Sequence, residues 1–466
     1  MIIVYILFNF LLYFYSKGIF KEKVNPISIY STIWVMMLVT YELKLVEYYN
    51  LTFMTWCVII SFQLAYSIGC VLGQAKHKTD RYSTDENPKT NIVKDIKNKK
   101  IEDRLKLVIL VLAAISALGI IPNLLVLINR YGNIFQATNI IYDDRLTGNQ
   151  DFELIPYMGT LIHMSVILSG IYINRYGVKL FLTIPIVLMS MNILPSGGRS
   201  DFVVGFLFIA FTLIYGKKVN FTKKQKISLT ILLSSFVGLF GEITSNRSTW
   251  ISVNSYMSQL MVKLVDFNPA IYKMYIYFSS PVGVLNAYLK DPVYNFGINS
   301  FGVFFSVLNK FGANLNYQRY QDVYNIPITT NVGTYIRELM QDFTLIGGII
   351  VIILFGYIFG RFYSKLKREK SFVSEIFVCL FSTIIFLSFF MWFYRETVFW
   401  ISTFIGIPIG LYLDSYVRKV NKIYSDCTIL EKESCVRHNP PRLVGIVSGS
   451  DPNTKGNNSD CARKVW

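Results

Sequence analysis

Only three histidines occur in 466 residues, and acidic side chains are outnumbered by basic ones, 29 against 46. His77, His163 and His438 are widely separated, and no Asp-x-Asp or histidine-rich cluster accompanies them. The six cysteines lack metal or redox spacing. Nothing in this pattern calls for a metal or another cofactor. No Walker motif and no glycine-rich dinucleotide loop is present, which removes the usual signs of ATP-driven transport and of a redox cofactor. No basic stretch precedes the first apolar run and no small-residue cleavage site follows it, so the run reads as a membrane span and not as a signal peptide. No internal repeat or pair of matching broken helices is evident, which argues against a secondary transporter.

What the chain does have is apolar length. Hydrophobic residues make up 53% and the mean hydropathy is +0.41, which leaves little room for a soluble fold. A bilayer core takes about 20 apolar residues per helix. About eleven stretches qualify: 2–16, 28–43, 51–73, 105–128, 154–173, 179–194, 201–216, 227–243, 342–361, 372–393 and 397–414, the first, sixth and seventh being short. The expected fold is an all-α polytopic integral membrane protein with one large extracytoplasmic loop, about 243–341.

Orientation follows from the lysines and arginines. Every second loop is basic: Lys17, Lys21 and Lys23; Lys76 to Lys100; Arg175 and Lys179; the segments KKVNFTKKQK and RFYSKLKREK; and Arg418, Lys419 and Lys422. The positive-inside rule puts these loops in the cytoplasm, the N-terminus outside and the C-terminus inside. The net charge of +17 is spread over these loops and forms no single patch. Anionic lipid headgroups, and not nucleic acid, are its natural partner. Two units are expected: 1–424 in the membrane, and a flexible cytoplasmic tail, 425–466, rich in Gly, Pro, Ser and Asn.

The large loop is rich in tyrosine, including Tyr317 and Tyr320, and contains apolar runs read as interfacial or re-entrant helices. Its tyrosines serve either as headgroup-level anchors or as an aromatic surface for carbohydrate or isoprenoid. Charged residues gather at the predicted outer ends of the spans. The turn Pro195-Ser196-Gly197-Gly198-Arg199-Ser200-Asp201 offers a guanidinium beside a helix N-terminus, which is either a phosphate site or a plain Arg–Asp turn. GEITSNRSTW holds Glu242 and Arg247. NVGTYIRELMQDFTLIGG holds Arg337, Glu338 and Asp342. FYRETVFW holds Arg395 and Glu396, and the loop after the fourth span holds Arg145. Charges at bilayer depth are costly, so such clusters are functional candidates, against the alternative of interfacial snorkelling.

This layout, with SGGRSDFVVGF and NVGTYIRELMQDFTLIGGIIVIILFGYIFGRFY, resembles the Wzy-type oligosaccharide repeat-unit polymerases, the O-antigen and capsule polymerases of bacteria, over most of residues 1–420. One arginine pattern of that family places a glycine eleven residues on. Arg337 meets it with Gly348 and Arg395 with Gly406, whereas Arg199 and Arg247 meet Ala210 and Ser258. The resemblance implies a metal-independent glycosyltransferase of the bacterial inner membrane that joins polyprenyl-diphosphate-linked oligosaccharide donor and acceptor. It would work beside a flippase and a chain-length regulator.

On that reading, Arg337, Arg395, Arg199 and Arg247 are candidates to stabilise the leaving diphosphate. Glu242, Glu338 and Asp342 are candidates to receive or orient the acceptor proton. Arg145, Asp201, Glu396, Tyr317 and Tyr320 are candidate substrate contacts. Two alternatives stand beside it, an enzyme of similar layout and a non-enzymatic transporter. An O-antigen ligase typically carries a histidine in the large loop, where this chain has none. A lipid-linked oligosaccharide flippase would place its charges along a central cavity within the spans.

Overall fold

The computed structural model describes residues 1–74, 91–132, 157–196, 200–216, 256–315 and 321–437, with the side chains of 91–95, 193–202, 270 and 425–437 outside that description. The described residues form thirteen α-helices: α1 Ile2–Phe20, α2 Pro26–Glu42, α3 Phe53–Gln74, α4 Asn91–Tyr131, α5 Ile162–Tyr176, α6 Thr183–Ser196, α7 Ser200–Tyr215, α8 Gln259–Phe267, α9 Ala270–Tyr288, α10 Ile298–Lys310, α11 Tyr335–Glu369, α12 Phe372–Phe386 and α13 Thr397–Arg437. Strands β1 (Tyr324–Asn325) and β2 (Thr329–Thr330) form a small antiparallel hairpin.

Among the described residues, five helices are long and apolar enough to cross a membrane: α1, α3, α4 from Ile96, α11, and α13 as far as Tyr424. Shorter apolar helices lie at Leu180–Asn192, Val203–Tyr215 and Phe372–Phe386. Helix α1 leaves Ile3, Leu7, Phe10, Leu11 and Phe14 exposed, a surface suited to acyl chains and costly in water. The protein is an all-α membrane protein. The expected span at 227–243 lies outside the described residues.

Local sequence sets several helix starts. Asn25 caps α2 by accepting from the Ile27 and Ser28 amides, and Ser28 Oγ accepts from the Asn25 amide in return. Pro26 follows at the first helical position, where no amide hydrogen is needed. Ser371 caps α12 in the same sense, and Asp414 of α13 accepts from Ser371 Oγ and from the Phe372 amide. Helices α12 and α13 are thereby tied at one end.

The closest helix pair is α3 with α11. Gly69 and Gly73 of α3 face the α11 backbone at Ile353 and Tyr357, and Gly356 and Gly360 of α11 face the α3 backbone at Tyr66 and Cys70. A Cβ on Gly356 would stand 2.5 Å from the Tyr66 carbonyl oxygen, so these four positions admit hydrogen alone. In a bilayer, where apolar side chains gain little by leaving lipid, such backbone contact is a main source of helix association.

Helix α11 starts earlier than the apolar stretch 342–361 and is broken once, at Thr344, whose φ of 63° and ψ of −178° are not helical. A β-branched residue pays for positive φ, so the break must be held from outside. The Gln341 carbonyl, which an unbroken helix would use four residues on, instead accepts from the Asn295 and Phe296 amides. The loop before α10 therefore docks on the break.

Helix α13 runs on to Arg437, into the stretch expected to be a flexible tail, 425–466, of which 438–466 lie outside the described residues. The segment CTILEKESCVR is mostly composed of residues tolerated in helices and has no Gly or Pro to stop it. The loop tyrosines do not all fit the anchor or sugar-surface readings. Tyr275, Tyr288 and Tyr335 are buried, while Tyr256, Tyr277 and Tyr294 are exposed. Burial is tolerated because the hydroxyls are bonded: Tyr275 donates to the Thr40 carbonyl at 2.9 Å, and Tyr335 shares a 3.0 Å bond with Tyr30.

Candidate functional site

Every residue from Tyr335 to Asp342 is buried. This first segment of α11 starts at Thr334, whose hydroxyl accepts from the Arg337 amide at 3.3 Å. The Tyr335 ring fixes the base of the segment, packed edge-on against Trp34 and Phe62. The Tyr335 amide donates to the Ser388 carbonyl, and Ser388 Oγ accepts from Trp34 Nε1. With its anchor rigid, the next turn presents its charged side chains at defined places.

Glu338 is fully buried and both of its oxygens are engaged. Oε1 accepts from Arg395 Nη1 at 2.8 Å and from Gln321 Nε2 at 2.7 Å, and Oε2 accepts from the Trp392 amide at 2.5 Å. Arg395 sits in the short turn Phe393–Arg395 before α13, and its Nη1 also donates to Asn299 Oδ1 at 2.6 Å. Asp342 is bonded more fully, with two donors on each oxygen. It accepts from the Asn299 amide and Nδ2, both at 3.0 Å, from the Ser300 amide at 2.6 Å and from Ser300 Oγ at 2.7 Å. These bonds cap the first turn of α10, where a negative charge is favoured by the helix dipole.

Arg337 is different. Its side chain is fully buried, and Nε, Nη1 and Nη2 have no hydrogen-bond partner among the described residues. The Tyr324 ring lies 5.4 Å from its Cζ. Burial pushes the Tyr324 phenol up, and the neighbouring guanidinium pulls it partly back. Gly333 lies against the guanidinium so closely that a Cβ there would be 2.6 Å from Cζ. A buried charge without a partner is among the most costly features a fold can keep, and it is usually paired. An arginine held this way presents fixed donors to an anion that would complete its bonding.

Among the sequence candidates, Arg337, Glu338, Asp342 and Arg395 are therefore assembled in one place. Glu396 follows Arg395 and is exposed. Arg199, Arg247, Glu242, Arg145, Tyr317 and Tyr320 lie outside the described residues, as does the side chain of Asp201 near the start of α7. Sequence reasoning missed Gln321, Asn299, Ser300 and Gly333, and counted Tyr324 only among the loop tyrosines. Neutral amides and a half-buried tyrosine carry no sequence signature. The one usable signal was Gly333 beside the helix-capping Thr334. An apolar groove of about 500 Å³, lined by residues including Leu110, Ala113, Ile184 and Val187, runs between α4 and α6 and contains none of the candidate residues.

No family model, curated protein or solved structure matches the chain.

Proposed function

We propose that this protein polymerises polyprenyl-diphosphate-linked oligosaccharide repeat units into O-antigen or capsular polysaccharide at the outer face of a bacterial cytoplasmic membrane. The observation that carries the reading is the buried, unpartnered guanidinium of Arg337 beside the Arg395–Glu338 pair. A diphosphate is a strong anionic acceptor with paired oxygens, suited to a guanidinium that has lost water and gained nothing in return. The proposal includes about eleven spans, the N-terminus and the 243–341 loop outside, and the C-terminus inside.

In the reaction, an acceptor hydroxyl of one repeat unit attacks the anomeric carbon of the other chain. The bond from that carbon to the diphosphate oxygen breaks, and the electron pair leaves with the diphosphate. Arg337 meets the charge that develops on the leaving group. Arg395, already neutralised by Glu338, positions that carboxylate and adds field without direct contact. Each oxygen of Asp342 already accepts two hydrogen bonds, so Asp342 takes the acceptor proton only by giving one up, whereas Oε2 of Glu338 accepts one bond and keeps a lone pair. That suits Asp342 to orient the site. Glu338 and Glu242 stay the candidate bases.

The test is the length distribution of surface glycan in a deletion strain complemented with each variant at matched expression. Deletion is expected to leave single repeat units and no ladder. Arg337→Ala is expected to do the same. Arg337→Lys is expected to elongate on the order of 10–100-fold more slowly, the loss of one charge-assisted bond of roughly 1.5–3 kcal/mol. A full ladder from Arg337→Ala would remove the diphosphate role. Long polymer accumulating on the carrier in the deletion strain, with none on the lipid A core, would make the protein a ligase.

A further inference from the structure

Arg337 has no exposed surface, so no ligand reaches its guanidinium without a movement of the fold. Two residues that lie against the guanidinium, Tyr324 and Gly333, belong to one loop, 321–333. Its ends are tied together, because Gln321 Oε1 accepts from the Gly333 amide at 2.9 Å. Its base is tied to α11 by Gln321 on Glu338 and by Gln341 on Asp322. Beyond that base the chain forms the β1–β2 hairpin, with Tyr324 opposite Thr330. Compact loops with joined ends are often functional. One side of this loop covers Arg337, and Val323, Asn325, Thr329 and Asn331 are exposed. The loop is thus a single layer between the guanidinium and the outside. At the hairpin tip, Ile326 is buried against α9 and α2. Its Cδ1 lies 2.9 Å from where a Cβ on Gly283 would stand, and Tyr41 is beside the same glycine. Tyr41 stacks on Tyr48 and donates to the Tyr49 carbonyl at 2.6 Å, so this socket is firmly built.

We infer that the hairpin, 323–332, is a lid over Arg337: it pivots on the tied base, Ile326 leaves its socket, and Tyr324 gives up the guanidinium to a substrate diphosphate. The inference rests on the anion-binding reading of Arg337 given above. The α11 side of the contact is the fixed one, held by the Thr334 cap and by Tyr335 against Trp34, Phe62 and the Ser388 carbonyl. A two-stranded hairpin is marginally stable by itself, so its place depends on what it docks against. The docking group is apolar, and Ile326 can withdraw without stranding a buried donor. Its own amide bonds the Ile328 carbonyl within the hairpin and travels with it. Tyr324 suits the role for a related reason. A ring face holds a guanidinium more weakly than a diphosphate does, so the ligand can replace it, whereas a bonded carboxylate would compete. Lids of this kind are drawn from the least stable parts of a fold.

The experiment follows the rate at which geranylgeranyl diphosphate binds the full-length protein in detergent. Geranylgeraniol is the uncharged control, and thermal unfolding checks that each variant is folded. In the wild type the observed rate is expected to level off as ligand concentration rises, at the rate of lid opening. Ile326→Ala loosens the tip and is expected to raise that plateau on the order of tenfold. Gly283→Cys combined with Ile326→Cys places two thiols across the socket. Oxidised, with the disulfide confirmed by thiol counting, this protein is expected to bind no diphosphate, and reduction with dithiothreitol is expected to restore binding. If Ile326→Ala does not fold, the cysteine pair decides alone. If the disulfide does not form, Ile326→Ala decides. An unchanged plateau in folded Ile326→Ala, or diphosphate binding at the reduced rate by the disulfide-locked protein, overturns the lid and leaves the Arg337 site intact. A wild type that binds diphosphate no better than alcohol, with Arg337→Ala unchanged from it, removes the anion site and the lid with it.

Discussion

The two halves of α11 solve the same problem by opposite means. Before Thr344 the helix is buried on all sides and carries Arg337, Glu338, Gln341 and Asp342. After Thr344 it is buried along one stripe only, Gly348, Ile352, Phe355, Gly356, Phe359, Gly360, Tyr363 and Leu366, while Ile346, Ile350, Leu354 and Ile358 stay exposed. The second half follows the rule for a helix in lipid: an apolar outer face, and small residues where a neighbour must come close. The first half breaks that rule and is held by hydrogen bonds to the 321–322 segment, α10 and the 392–395 turn. The lesson is that the bilayer half of this helix is stabilised by shape, and the site half by polar saturation with one deliberate gap, at Arg337.

The comparison can be broken most sharply at Arg395. Truncation to Ala would leave Glu338 buried with two neutral donors and no bonded cation, which typically costs about 3–5 kcal/mol. The check is thermal unfolding of purified protein, and a loss under 1 kcal/mol would mean that the pair does not hold the site half together. Next comes Gly360→Leu in the shape-held half. Its first side-chain atom would overlap the Cys70 carbonyl, and overpacking of this kind costs about 1–3 kcal/mol or more. Folded yield and unfolding temperature should both fall, and wild-type values would show that α3 and α11 do not need to touch.

Asp342→Asn sharpens the contrast further. An amide cannot accept all four bonds that cap α10, so a loss of about 1–2 kcal/mol is expected, in line with lost caps elsewhere. Faster amide hydrogen exchange confined to the first turn of α10 is the specific readout. The smallest effect on stability is expected at Arg337. Arg337→Met removes an unpaired buried charge and keeps much of the volume, so stability should be unchanged or higher. Elongation should nevertheless be lost. A strongly destabilised Arg337→Met protein would show that the guanidinium has a structural partner and would end the case for an open site.

The charged segment around Arg337 was legible because charges amid apolar sequence are rare enough to notice. Arg395 was legible for the same reason, from the turn FYRETVFW. That the two would act differently was not. Both meet the same eleven-residue glycine spacing, and nothing in the chain says that one is paired and the other is not. Glu338 and Asp342 read alike as carboxylates one turn apart, yet one anchors Arg395 and the other caps α10.

The chain by itself determined the membrane class, because apolar length is a local property and a helix is the only open-ended way to satisfy backbone bonds in lipid. It also determined the start of α2 at Asn25-Pro26, the glycines of α3 and α11, and the neighbourhood in which charge would matter. Tertiary structure alone decided where α11 breaks, since Thr344 is no helix breaker and the Asn295 and Phe296 amides dock on the Gln341 carbonyl there. It alone decided which carboxylate meets which cation, because Gln321, Asn299 and Trp392 arrive from segments far apart in sequence. Pairing depends on distances between such segments, and no local pattern encodes a distance that forms only when the chain has closed on itself.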